Sequence, residues 1–333
     1  MSYLATPLPF PTIQPDGFPL MNGGPTFDPA KHLQIEYPDT VLSLHDLGYS
    51  DAQIADCPTD FGVTSVFRIL SDEGAACLLE AAKQLEEFTT SNARIARNVR
   101  GGTYRSQFLR DLCLCEEVTD AMSHIAGLSL LPHTIPHQLG HLNYNPEVVG
   151  ENVDKWHVDT LRFDYVMFVT DPKSVQGGEF QYYKGTKDEF QALRKSGQPL
   201  DDAKVISPDM PGPGYAVLQQ GNMVVHRAKG LSAAGERITM VNGYVPRDIS
   251  FPDFSRFDQL SLVDPPHIAA SEYSRHLQWM ARERLDAELR GFAYSADADA
   301  MAATFAQLSD KMDQSAQELR EAGKSQVEHF GDS

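Results

Sequence analysis

Three residues of types that bind metals stand at an informative spacing. His157 and Asp159 are separated by one residue, and His226 follows after 66 intervening residues. Side chains at positions i and i+2 of an extended strand project from the same face, so the first two can reach one cation. Val224 and Val225 place the later histidine at the end of an apolar run that predicts a strand. Two imidazoles and one carboxylate form the facial triad typical of non-haem iron(II) sites, whereas zinc more often binds three histidines or cysteine.

An arginine with a hydroxyl neighbour follows the second histidine by eleven residues. Arg237 and Thr239 alternate within the stretch 235–241, whose pattern predicts a half-buried strand. A guanidinium that faces a core needs an anionic partner, because burying it unpaired is costly. A carboxylate fits its planar fork, and the Thr239 hydroxyl can donate to the same anion. We therefore predict a binding site for a dicarboxylate whose other end chelates iron.

The order of these motifs resembles that of the 2-oxoglutarate/iron(II) dioxygenase superfamily. His-x-Asp is followed by a strand, by Gly177-Gly178-Glu179-Phe180, by a later histidine and by Arg-x-Thr. The stretch 157–180 is most similar to the prolyl-4-hydroxylase and phytanoyl-CoA hydroxylase branches. Arg-x-Thr is more similar to the plant-type and penicillin-synthase-like members. The resemblance covers residues 134–247.

The resemblance implies a role for each matching residue. His157, Asp159 and His226 would bind Fe(II) and form the catalytic centre. Arg237, together with Thr239, would bind the distal carboxylate of 2-oxoglutarate. Relatives often place a polar or aromatic residue of an early barrel strand against this cosubstrate, and the matching positions here are Asn143 and Tyr144.

The implied enzyme is a dioxygenase that uses O2 and 2-oxoglutarate and releases succinate and CO2. It would oxidise, most simply hydroxylate, an unactivated C–H bond of a small anionic molecule such as an amino acid or a specialised metabolite. Desaturation, ring closure and epoxidation need the same metal and cosubstrate residues, so the sequence leaves the outcome open. Two alternatives remain: a hydroxylase of protein or peptide side chains, and a non-catalytic cupin-like barrel that binds a metal or ligand.

Arginines near the predicted site are the candidates for holding an anionic substrate. The candidates are Arg97, Arg100, Arg105 and Arg162. The first three lie in the basic stretch 94–105 beside two glycines, where backbone amides can approach an anion. The fourth follows Asp159 by three residues and should lie near the mouth of the site. A solvated loop that pairs with acidic surface residues is the alternative for the basic stretch.

A second group of histidines has a less specific pattern. His133, His137 and His141 recur every four residues, but Pro132 and Pro136 argue against a helix that would align them. We predict structural or pocket-lining roles for them rather than a second metal site.

Composition limits the other function classes. The 333 residues carry a net charge of −18, which argues against binding nucleic acid or an anionic membrane surface through bulk electrostatics. No apolar run approaches the roughly 20 residues that span a bilayer. The four cysteines are irregularly spaced and predict no disulfide framework, so we expect a cytoplasmic protein.

The predicted fold is mainly β with flanking helices, built on a double-stranded β-helix of the jelly-roll, cupin-like type. Residues 1–60 are predicted to form an N-terminal arm, residues 61–247 the oxygenase core, and residues 248–333 a helical extension packed on that core.

Three helices are predicted around this core. Helices at 72–88, capped by Ser71, and at 109–125 should brace one face of the sheet. A third at 298–322 carries an apolar stripe that either packs on the barrel or forms the seam of a homodimer.

Overall fold

The protein is described by a computed structural model that covers residues 4–294, 296–320 and 325–332. In these ranges, strands form two sheets in which every pairing is antiparallel. The strands are β1 (Val41–Ser43), β2 (Phe61–Thr64), β3 (Phe67–Arg68), β4 (Asn98–Val99), β5 (Leu130–Pro132), β6 (His141–Tyr144), β7 (Asp154–His157), β8 (Phe163–Phe168), β9 (Phe180–Tyr183), β10 (Val205–Ile206), β11 (Tyr215–Gln219), β12 (His226–Ala228) and β13 (Ile238–Pro246).

Helices precede, interrupt and follow these strands. Those in the described ranges are α1 (Pro29–His32), α2 (Asp51–Ile54), α3 (Asp72–Leu85), α4 (Gly102–Arg105), α5 (Gln107–Cys113), α6 (Glu116–Ala126), α7 (Lys187–Ser196), α8 (Phe257–Val263), α9 (Pro266–Arg290) and α10 (Ala298–Arg320). Short 3-10 turns lie at Glu86–Phe88, Pro136–Gln138, Pro172–Ser174 and Asp202–Lys204.

The two sheets face each other across a shared core. The large sheet has the order β1-β2-β11-β8-β13-β6-β4, with β3 added to β11 and β5 to β13, and the small sheet has the order β10-β9-β12-β7. Val166 on β8 lies opposite both Val217 and Val241, so these side chains share one face of the large sheet. Val166 and Val217 pack with Phe180 and Tyr182 of the small sheet in one buried cluster.

Helices cover the opposite face of the large sheet. Alternation along β8 and β13 turns Tyr165 and Met240 away from the small sheet, into a cluster with Leu78 of α3, Leu109 of α5 and Met122 of α6. Both faces of the large sheet are therefore buried, which explains why the strand Phe163–Phe168 is almost uniformly apolar.

The two predicted bracing helices are present, with one correction. Ser71 caps α3 by accepting a hydrogen bond from the Gly74 N–H at 3.1 Å, as its sequence position indicated. The continuous helix predicted at 109–125 is instead two helices. Cys115 adopts an extended conformation with ψ of 127° and begins α6 anew, so the chain turns between α5 and α6.

The C-terminal helices pack unequally. Tyr273 on α9 is buried in a cluster with Phe257 and Leu260 of α8, and Leu319 of α10 packs against it. No described residue of α10 is buried, and Met301, Phe305 and Met312 of its apolar stripe are exposed. Leu308 and Leu319 of the stripe are half-buried, so α10 packs only in part, and the homodimer seam stays a prediction. Residues 321 and 322 of the predicted helix lie outside the described residues.

The predicted fold was mainly β with flanking helices. Antiparallel sheets with flanking helices are present, but the prediction of a mainly β chain is wrong, because the helices in the described ranges contain more residues than the strands. The double-stranded β-helix and the three-part division at residues 60 and 247 stay predictions. Among the described residues, none of the helices has the length and apolar character needed to cross a membrane.

Candidate active site

The predicted metal ligands come together at one end of the small sheet. His226 on β12 lies directly opposite His157 on β7, and the two ring centroids are 4.2 Å apart. The chain leaves β7 after His157, and the Asp159 N–H then donates to the Gly221 carbonyl at 2.9 Å. This bond places the Asp159 carboxylate 3.4 Å from His157 Nε2 and 3.2 Å from His226 Nε2. In the described ranges, these three form the one group of metal-binding side chains whose ligand atoms lie within 4.8 Å of one another.

Both imidazoles turn the same nitrogen toward the carboxylate. His157 Nδ1 bonds to the Lys155 carbonyl at 2.6 Å, and His226 Nδ1 bonds to the Val224 carbonyl at 3.0 Å. A carbonyl only accepts, so each Nδ1 carries a proton, and Nε2 is the nitrogen that faces a bound metal. Fixing the tautomer through the far nitrogen is the usual way in which proteins orient histidine ligands.

Asp159 and His226 shift each other's pKa. Burial acts against ionising the Asp159 carboxyl, but the two histidines outweigh it and hold its pKa well below the usual range. Burial lowers the pKa of His226, yet the charge and hydrogen bond of Asp159 outweigh this and raise it to about 9. Burial, followed by the positive charge of Arg94, lowers the pKa of His157. The group thus holds one carboxylate and one proton where it could hold a cation.

A second carboxyl beside the triad was missed by the sequence reasoning. Asp164 on β8 is fully buried, and Gln219 on β11 donates to it at 2.9 Å. The same amide nitrogen lies 3.1 Å from His226 Nε2. Burial and then the nearby Asp159 charge raise the pKa of Asp164 well above its usual range. Its signal in the sequence was a lone carboxyl within an apolar strand.

Glycine at position 221 leaves room for these carboxyls. A Cβ atom there would lie 2.8 Å from Asp159 Oδ2 and would also collide with the Asp164 carboxyl. The close approach of backbone to two acidic side chains requires a residue without a side chain.

An ion pair behind His157 was also missed. Arg94 Nε lies 3.0 Å from Asp154 Oδ1, and the same oxygen is 3.5 Å from His157 Nδ1. Asp154 begins β7 and is buried, so the pair fixes the start of the strand that carries His157. Arg94 lies in the basic stretch 94–105, but nothing in the sequence pairs it with Asp154.

Arg237 is buried with one nitrogen unused. Its Nε donates to the Gly178 carbonyl at 2.9 Å and its Nη1 donates to Thr239 Oγ1 at 3.0 Å. Nη2 is buried and has no hydrogen-bond partner among the described residues. Burial lowers the pKa of this guanidinium to about 10, still far above neutrality. The strand that was predicted to include Arg237 begins one residue later, at Ile238.

Gly178 permits this packing of Arg237. It has a φ of +77°, and a Cβ there would lie 2.8 Å from Leu231 and 3.4 Å from the Arg237 side chain. The double glycine of the sequence motif is therefore needed where the arginine passes the backbone.

Asn143 and Tyr144 separate to opposite faces of β6. Asn143 lies opposite Thr239, and it lines a narrow cavity of about 30 Å³ together with the three triad residues. Its Oδ1 has no hydrogen-bond partner among the described residues, nor has Nε2 of the neighbouring His141. Tyr144 is a correction to the prediction: its hydroxyl donates to the Ala82 carbonyl at 2.7 Å, under α3. Successive strand residues alternate between faces, so the pair cannot both reach the site.

A larger cavity of about 230 Å³ opens beside Asp159. Its apolar lining includes Leu161, Phe254, Leu260, Val263 and Val327. Its cationic lining consists of Arg94, Arg100, Lys187 and Arg256. A cavity this size holds a small organic molecule with one end at the triad.

Three of the four arginines predicted to bind substrate lie elsewhere. Arg97 pairs with Glu86 at 2.6 Å. Arg105 is sandwiched between the rings of Phe18 and Phe88. The third, Arg162, donates to the carbonyls of residues 56 and 252 and stacks on the ring of residue 254. Their donors are used by the fold, so these three predictions are corrected.

Arg100 lines the larger cavity but is already neutralised. It donates to both oxygens of Asp264, at 2.5 and 2.8 Å. Arg94 is paired with Asp154, and Arg256 with Glu328. Lys187 differs, because its Nζ contacts a backbone carbonyl and a thioether at 3.4 Å and forms no ion pair with a described residue. Nothing in the sequence distinguishes this lysine from the other lysines of the chain.

Comparisons with known proteins return structural likeness alone. No protein-family model matches the sequence, and no curated protein matches it. Among solved structures, EctD from S. alaskensis with 2-oxoglutarate and 5-hydroxyectoine is 17% identical over 67% of this chain and 82% of that chain, with a TM-score of 0.41. HygX from Streptomyces hygroscopicus with nickel and 2-oxoglutarate is 13% identical over 56% and 83%, with a TM-score of 0.39.

A third structure is SnoK, a non-heme alpha ketoglutarate dependent carbocyclase from nogalamycin biosynthesis. It is 16% identical over 61% of this chain and 83% of that chain, with a TM-score of 0.40. Likeness of this degree does not establish a family, so a function must be assigned from the residues of the site.

Proposed function

We propose that the chain is an iron(II)- and 2-oxoglutarate-dependent oxygenase that oxidises a C–H bond of a small anionic molecule. One observation carries the proposal: His157, Asp159 and His226 converge with both Nε2 atoms turned inward, in a cavity that also holds Asn143. The cosubstrate site is inferred from Arg237, whose unused Nη2 needs an anion.

The donor set fits iron(II). Two neutral imidazoles and a carboxylate bind from one side and leave the other side open, as in the facial triads of non-haem iron oxygenases. Bound there with 2-oxoglutarate, iron(II) would supply with O2 the oxidant that breaks the C–H bond, with release of succinate and CO2. The carboxylate at residue 159 also fits an oxygenase, because it completes the triad.

The chain's own residues bind and orient the cosubstrate. Arg237 Nη2 and Thr239 Oγ1 would donate to its distal carboxylate, and the tautomers of the two histidines keep lone pairs directed at the metal position. Phe180 and Val166 are apolar walls of the narrow cavity that the triad lines. We further propose that the two sheets form a double-stranded β-helix with the metal at its open end.

The substrate is proposed to lie in the larger cavity beside Asp159. Lys187 would hold its anionic group, because the arginines of that cavity are already paired with carboxylates. Its apolar part would pack on Leu161 and Phe254. Hydroxylation is the expected outcome, and desaturation, ring closure or epoxidation would require the substrate to be held differently.

The first experiment is anaerobic addition of iron(II) and then 2-oxoglutarate to the purified protein. We expect the weak visible charge-transfer band of the chelate in the wild type, and its loss in His226→Ala and Arg237→Gln. Arg290→Gln is the matched control, since this arginine is exposed at the end of α9 and should leave the band unchanged. A folded, iron-loaded wild type without a band would contradict the proposal and favour the non-catalytic barrel.

A second experiment tests the substrate class by succinate release with candidate metabolites. Lys187→Met should raise the KM for an anionic substrate about tenfold, while the exposed Lys184→Met should have no effect. Turnover of peptides with no loss in Lys187→Met would favour the peptide hydroxylase.

A further inference from the structure

Residues 325–332, which we name the strap, return from the C-terminal helices to the strand that carries His157. The Trp156 N–H donates to the Gly331 carbonyl at 3.0 Å, and the Phe330 N–H donates to the Trp156 carbonyl at 2.6 Å. The other edge of β7 is already paired with β12. The strap therefore pairs with the outer edge of β7 at Trp156, beyond the bridge that Ile95 forms with Asp154.

Side chains anchor this end of the strap. The Phe330 ring lies 5.4 Å from the Phe190 ring and packs in the cluster that contains Trp156. Arg194 Nε donates to the Phe330 carbonyl at 3.1 Å, and Arg227 Nη1 donates to the Asp332 carbonyl at 2.7 Å. The aromatic ring is the main apolar contact.

The other end is attached to α8, across the larger cavity. Gln259 accepts from the Glu328 N–H at 3.0 Å and donates to the Gln326 carbonyl at 3.1 Å. Glu328 also pairs with Arg256 at 2.7 Å. Within this second attachment, Val327 and Glu328 line the cavity, and Asp159 lines it from the side of the sheet.

We propose that the strap is a substrate-binding element, in which Phe330 anchors the segment and Val327 limits the size of the substrate's apolar part. The inference rests on the proposed function, because it takes the larger cavity as the substrate site. Val327 is the strap's apolar residue in the lining of this cavity, to which α8 contributes Leu260 and Val263. Substituting it changes the cavity without touching the triad or Arg237.

Docking of the strap is tested by hydrogen exchange on the full-length protein. We expect the Trp156 amide to be protected in the wild type, and Phe330→Ala to speed its exchange at least about tenfold, because the anchoring ring is lost. Phe292→Ala is the matched control, since that ring is 69% exposed. An unprotected Trp156 amide in the wild type, or no change in Phe330→Ala, would overturn the docking.

The size limit is tested by calorimetry with benzoate and 2-naphthoate, in the presence of nickel(II) and 2-oxoglutarate and also without them. Val327→Trp should weaken the binding of 2-naphthoate at least about tenfold and that of benzoate less. Val327→Ala should strengthen the binding of 2-naphthoate. Val148→Trp is the control, because Val148 is 65% exposed in another loop.

Wild-type affinity of both probes in Val327→Trp would overturn the role of Val327, as would a wild type that binds neither probe. The two proposals can fail separately. An effect of Val327 substitution on probe binding, without a chelate band, would support the role of the strap and contradict the oxygenase function. A chelate band with no Val327 effect would do the reverse.

Discussion

Two clusters of buried histidines with a carboxylate lie in the described part of the chain, and they differ in what their ring nitrogens contact. At the triad, Nε2 of His157 and of His226 point at Asp159, and the opposite nitrogens bond to backbone. In the second cluster, His276 Nδ1 contacts Thr134 Oγ1 at 2.5 Å and its Nε2 lies 2.9 Å from Asp253.

The neighbouring His133 in the second cluster is equally saturated. Its Nδ1 accepts from the Ile135 N–H at 3.1 Å and its Nε2 lies 3.3 Å from Ser255 Oγ. Burial, followed by the charge of His276, lowers the pKa of His133 to about 3. The same residue types therefore form a structural network where each histidine nitrogen has a separate partner, and a candidate metal site where two Nε2 atoms converge on one carboxylate.

The largest expected effect is on metal binding at the triad. His226→Ala removes one of three ligands and should weaken iron(II) or nickel(II) more than about 100-fold, beyond the range found for residues that only orient a ligand. Calorimetric titration under nitrogen measures this. Retained affinity in His226→Ala would remove the distinction between the clusters.

His276→Ala should instead cost stability. The ring is buried, and its loss leaves a cavity beside Trp279 and removes two hydrogen bonds, so we expect the free energy of unfolding to fall by about 3 kcal/mol. Urea denaturation gives the value, and metal affinity should stay as in the wild type. A loss of metal binding in the folded variant would mean that the second cluster is also functional.

Gly221→Ala sharpens the comparison without removing a ligand. The added Cβ displaces the Asp159 carboxylate, so metal affinity should fall about tenfold, in the range reported when a ligand loses its support. Gly212→Ala is the control, because a Cβ there meets nothing within 4 Å. Equal affinities in both variants would show that the triad tolerates movement of Asp159.

The smallest effect is expected at Ser255. Ser255→Ala removes the hydrogen bond to Asp253 at 3.1 Å and the contact with His133, and should lower the free energy of unfolding by about 1 kcal/mol. Thermal unfolding at neutral pH follows this change. A change in metal affinity would contradict the structural assignment of the cluster.

Local spacing predicted the parts of the site that depend on neighbouring residues. The three predicted ligands lie together, although β7 ends at His157, before Asp159, and His226 begins β12 rather than ending a strand. The prediction did not decide which of two neighbouring strand residues faces the site. The register of β6 against β13 places Asn143 opposite Thr239, so Tyr144 lies on the other face. Asp164 was missed because a carboxyl in a buried strand becomes meaningful only when Asp159 is beside it.

The sequence by itself determined the donor types, the His-x-Asp spacing, the arginine with its hydroxyl neighbour and the glycines that permit close backbone approach. Tertiary structure decided which nitrogens and which arginines remain available. The physical reason is that a side chain's partners can be distant in sequence: Arg100 is neutralised by Asp264, 164 residues away. Arg237 keeps an unused donor because the packed strands place no hydrogen-bond acceptor of the described residues beside Nη2.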